Sequence, residues 1–128
     1  MANKNDFEET FKRLKTILEP YGRELNVASD TSTTYSVETD VVMKNKRRLF
    51  FAGVRKGKSY ASFHLFPVYA CPELLEAVSP ELKKRMQGKS CFNFKTIDEK
   101  LLKELGKLTE AGYQKFSDPK VIEKLTGR

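Results

Sequence analysis

Phe7, Phe11, Leu14 and Leu18, with Ile17 beside them, recur at three- and four-residue steps between Asn5 and Pro20. That is the period of a helix with one buried face. Asn5 or Asp6 can cap its start, and Glu8 and Glu9 suit the positive end of its dipole. Pro20 and Gly22 predict its end. From Leu25 to Phe66 the period shortens to that of strands. Leu25–Ala28 and Thr34–Glu38 flank an Asp30–Thr33 turn, and Val41 and Val42 extend the second strand or begin the next connection. Asn45 suits an exposed turn. Arg48–Arg55 and Ser59–Phe66 then flank Lys56-Gly57-Lys58, a second hairpin whose glycine supplies a tight turn. Four antiparallel strands in meander order are the simplest arrangement.

The second half reads as mostly helical. Pro67 ends the fourth strand, and Pro72 opens a helix to about Val78. Ser79 caps a further helix through Met86, which Gly88 closes. Cys91–Phe94 alternates as a short strand, with Cys91 expected in the core. Asp98 caps a long helix, Glu99 to Phe116, with Leu101, Leu102, Leu105, Leu108 and Tyr113 inward; Gly106 and Gly112 weaken it. Asp118-Pro119 starts a last short helix. The expected fold class is α+β, an antiparallel sheet packed on one side by helices in the order α-β-β-β-β-α-α-β-α. One domain, residues 1–128, accounts for the length.

Strand alternation divides the candidate chemistry between two faces. In the fourth strand Ala61, Phe63 and Leu65 form the better core face, and Tyr60, Ser62, His64 and Phe66 lie on its reverse. In the third, Leu49, Phe51, Gly53 and Arg55 oppose Phe50, Ala52 and Val54. A one-residue slip exchanges these sets. A sheet covered on one side leaves its reverse available. The expected ligand face therefore comprises Phe51, Arg55, Tyr60, Ser62, His64 and Phe66.

Charge adds a second candidate. The 128 residues carry 24 Lys and Arg against 17 Asp and Glu, a net charge of +7. Val41–Tyr60 holds Lys44, Lys46, Arg47, Arg48, Arg55, Lys56 and Lys58 with no acidic residue, so the whole excess lies there. Basic residues beside Phe50, Phe51 and Tyr60 suit nucleic acid or an acidic partner. They equally suit a solvated turn and a strand end protected from aggregation.

Other chemistry is sparse. His64 is the sole histidine and has no Ser-His-Asp spacing near it. Cys71 precedes Pro72 at a helix start, which makes it the candidate reactive thiol. Cys71, Cys91 and His64 lack the paired spacing of a zinc site, and no Gly-rich phosphate loop is present. No catalytic residue, metal or cofactor is assigned. The longest apolar run, Leu49–Val54, is too short to span a bilayer, and the N-terminus turns acidic where a signal peptide is apolar. Two cysteines form no disulfide framework, so a cytoplasmic protein with free thiols and no membrane partner is expected.

One order of motifs between Phe51 and Phe116 is familiar: the strand Tyr60–Pro67, an insert with Leu82-Lys83 and Met86, then Gly88–Phe94 and Ile97–Leu102. This stretch resembles the YdhG-like family of small bacterial proteins, whose function is largely unassigned. The resemblance implies a single α+β domain with an antiparallel sheet against helices. One family member is described as a frataxin-like iron chaperone, which relies on a ridge of carboxylates on the first helix and adjoining strand. Here Asp6, Glu8, Glu9 and Glu19 are offset by Lys4, Lys12, Arg13 and Lys15. A positive field opposes collecting hard cations, so the fold carries over and the iron does not. A binding or adaptor module, with an unknown ligand, a protein partner or a second copy on the reverse sheet face, is the reading this leaves.

Overall fold

The computed structural model describes residues 4–44, 46–57, 60–88 and 90–126, with side chains from Glu8 to Leu125. Asn45, Lys58, Ser59 and the side chains of Lys4, Asn5, Asp6 and Phe7, all named above, lie outside the described residues.

Helix α1 (Lys4–Glu24) buries Phe11, Leu14 and Leu18 as its periodicity requires. It runs past the expected stop, with Pro20 inside it. The proline removes one hydrogen bond of the ladder, that to the carbonyl of Thr16, but the final turn is anchored by tertiary contacts. There the Tyr21 ring meets Phe51 and Tyr113 at 5.5 and 5.1 Å, and its hydroxyl donates to Glu110 Oε1 at 2.7 Å.

Strands β1 (Asn26–Asp30), β2 (Thr34–Val42), β3 (Arg48–Lys56) and β4 (Ala61–Leu65) form the expected antiparallel meander. At the first turn, the Thr31 hydroxyl accepts from the backbone N–H groups of Thr33 and Thr34. Helix α2 (Phe66–Ala70) follows β4, with Pro67 in its first turn. The Pro72–Ala77 stretch is a 3-10 helix, and α3 is a single turn, Pro80–Lys83. The Ser79 hydroxyl caps α3 at Leu82 N, while its own N–H and O–H donate to the Glu104 carboxylate, both at 2.6 Å.

The helix expected through Met86 stops early because the chain turns into a further hairpin. Strand β5 (Met86–Gln87) pairs with β6 (Cys91–Phe94), and β6 pairs with β4. Gly88, at φ +81°, serves the turn between β5 and β6 and does not close a helix. Among the described residues the strands make one six-stranded antiparallel sheet, ordered β1-β2-β3-β4-β6-β5.

Helix α4 (Glu99–Phe116) begins where Asp98 accepts from Leu101 N, and α5 (Pro119–Thr126) follows it. Helices α1 and α4 cover one side of the sheet. Phe51 meets Tyr21 of α1 and Tyr113 and Phe116 of α4, and Val37, Val54, Phe63, Leu65, Phe92 and Phe94 complete the buried layer. The fold is therefore α+β with helices packed on an antiparallel sheet, in the expected order with α2 and the short β5 added and α5 following Asp118 as the sequence predicts.

Candidate functional site

The sheet face away from α1 and α4 holds the groups with functional potential, and a bulge decides which they are. Val37 pairs with Ala52, but the next residue of β2, Glu38, pairs with Phe50. One residue of β3 is thus extra, and Phe51 and Ala52 both point into the core, each with 0% exposure. Alternation resumes on either side of it. Leu49 and Val54 are buried, while Phe50, Gly53 and Arg55 lie on the open face.

Phe51, expected among the ligand residues, is instead a central core ring. Phe50 takes its place. The Phe50 ring folds over Gly53, where an added Cβ would lie 3.2 Å from its Cζ. It also meets the His64 ring at 5.1 Å and the Phe66 ring at 6.4 Å.

Ser62, His64 and Arg55 are brought together as expected. Gly53 pairs with His64 and Arg55 with Ser62 across β3–β4, and His64 pairs with Cys91 and Ser62 with Asn93 across β4–β6. Thr34, Ser36, Phe50, Gly53, Arg55, Ser62, His64 and Cys91 line a shallow depression of about 320 Å³. A polar ladder continues from it. The Ser62 hydroxyl donates to Asn93 Oδ1 at 2.7 Å, and Asn93 Nδ2 donates to Gln87 Oε1 at 2.9 Å. Asn93 follows from strict alternation in Cys91–Phe94, because Phe92 and Phe94 take the core. The same alternation puts Cys91 on the open face, not in the core as expected.

Tyr60 and Phe66 flank this centre. Tyr60 precedes β4 and lines a second depression with Lys84, Arg85, Gln87, Asn93 and Lys95. Phe66, in the first turn of α2, lines a third with Glu38, Arg47, Arg48 and Phe50. Phe66 also stacks on Tyr69, with centroids 5.6 Å apart and planes 14° apart.

The basic segment does not form one patch. Lys44, Lys46, Arg47 and Arg48 are exposed at one end of β3, and Arg55 and Lys56 stand at the other. Nine strand residues separate these ends by roughly 26 Å. Lys56 Nζ lies 3.8 Å from Glu8 Oε1. Arg48 and Arg55, however, share the open face of β3 with Phe50.

Burial sets the protonation of the central groups. It holds the His64 imidazole below its ordinary pKa and raises the Cys91 thiol above its own. The two are neutral near pH 7 and form no thiolate–imidazolium pair. Cys71 is buried beside Glu73, and desolvation with that carboxylate raises its pKa as well. A helix start therefore does not activate it. Among the described residues no three His, Cys, Asp or Glu side chains lie close enough to hold a metal ion. No described helix is long and apolar enough to cross a membrane. The face brings together hydrogen-bonding groups, rings and cations, and neither thiol is held as a thiolate. Comparison with protein-family models, curated proteins and solved structures finds no match to this chain.

Proposed function

We propose that this chain is a non-enzymatic, YdhG-like binding module of the bacterial cytoplasm that presents its uncovered sheet face to a ligand or partner. The observation that carries the reading is the central depression. Ring and hydrogen-bonding groups from β2, β3, β4 and β6 converge there on a rigid sheet, flanked by Arg48 and Arg55. Apolar walls with a few placed polar groups are the usual composition of a ligand surface. The flanking arginines favour an anionic occupant.

Native mass spectrometry of the protein as isolated tests this. The expected spectrum shows one chain carrying added mass that is lost on denaturation and depleted in Phe50→Ala/Arg55→Glu. A bare doubled mass that the double variant returns to monomer would give the face to self-association and overturn the proposal.

A further inference from the structure

We infer that the occupant of the open sheet face is a single-stranded nucleic acid, an inference that rests on the binding role proposed for that face. Its basis is a row of four rings that leads from α2, where Phe66 also meets Phe116 edge-on at 6.2 Å, onto the open face. Tyr69 stacks on Phe66, Phe66 meets Phe50 at 6.4 Å, and Phe50 meets His64 at 5.1 Å. Tyr69 is 53% exposed, and Phe50, His64 and Phe66 are half-buried, so ring surface remains open to solvent. Unpaired bases stack on such rings whatever their identity, whereas a duplex keeps its bases stacked on one another.

The cations lie where a strand's phosphates would run. Arg47 and Arg48 border the depression at the Phe66 end, Arg55 lies beside the centre, and Lys84, Arg85 and Lys95 surround Tyr60 beyond Asn93. Glu38 is the single carboxylate among the residues lining the three depressions. Phe50 is shared by the Phe66 and central depressions, and the Ser62–Asn93 hydrogen bond joins the central depression to the one at Tyr60. The path runs diagonally over β3, β4 and β6 and spans about 20–25 Å. That suits roughly four nucleotides, the low end for a single-strand module. An acidic peptide would satisfy the arginines but leave the row of rings unused.

Fluorescence anisotropy with labelled dT12, the equivalent 12-base-pair duplex and a labelled poly-glutamate peptide tests the inference. The single strand should bind at least tenfold more tightly than either comparator. With about four phosphates neutralised, its affinity should fall roughly 50-fold from 50 to 200 mM salt. Phe50→Ala should weaken binding about tenfold through lost stacking. Arg55→Ser should reduce the salt slope by about 0.7 while leaving the fold intact.

Equal affinity for duplex or peptide, or no effect of Phe50→Ala, would overturn the inference. So would the absence of dT12 binding at 50 mM salt. If the isolated protein then retains a non-nucleotide mass that the Phe50→Ala/Arg55→Glu variant loses, the inference fails while the binding role stands. If it is a bare dimer through this face, both fail.

Discussion

Phe51→Ala is expected to destabilise the protein by about 3–5 kcal/mol, whereas Phe50→Ala should cost about 1 kcal/mol. The two rings are chain neighbours, yet the bulge in β3 sends them to opposite sides of the sheet. Phe51 is fully buried against Tyr21, Tyr113 and Phe116, so truncation leaves a cavity where α1 and α4 meet the sheet. Phe50 lies half-exposed over Gly53 and beside His64, where water can fill the space its ring leaves. Urea denaturation of both variants measures the difference. Equal losses would contradict the placement of the two rings on opposite faces, and a larger loss for Phe50→Ala would mean that they had exchanged faces.

Gly112→Ala should also destabilise, while Gly106→Ala in the same helix should stabilise. A Cβ on Gly112 would lie 2.8 Å from Pro67 Cβ and 3.0 Å from its Cγ. Proline's ring cannot rotate aside, so α2 and α4 must move apart, at a cost of about 1–3 kcal/mol. This outweighs the gain of about 1 kcal/mol in helix propensity. A Cβ on Gly106 meets nothing within 4 Å, so there the propensity gain survives. Thermal melts should therefore shift in opposite directions. A raised melting temperature for Gly112→Ala would contradict the close approach of the two helices.

The contrast between these glycines shows where sequence patterning stops. Both weaken a helix by their lack of a side chain, and nothing local distinguishes the one lying against a proline more than forty residues away. Features set by near neighbours were legible: the buried stripe of α1, the Asp98 cap of α4 and the meander of β1 to β4. Ser62, His64 and Arg55 were placed together because alternation holds through β4 and the end of β3. Phe51 was misplaced because a bulge is a property of the β2–β3 pairing and shows only when both strands are aligned.

The 72–88 stretch failed for a related reason. Its prolines and Ser79 signal helix starts correctly, but helices of one or two turns are too short for periodicity to fix their ends. The pairing of Met86 with Phe92 is what makes the following segment a strand. The basic segment was compact only along the chain. Its two charged ends separate because β3 is extended between them.

The most direct test of the open face as the binding surface is a backbone-amide NMR titration of the full chain with dT12. The account predicts shifts concentrated at Phe50, Gly53 and Arg55 of β3, Ser62 and His64 of β4, and Cys91 and Asn93 of β6, with the solvent-facing amides of α1 and α4 unmoved. Shifts centred on α1 and α4, or confined to Lys44, Lys46 and Arg47, would contradict it.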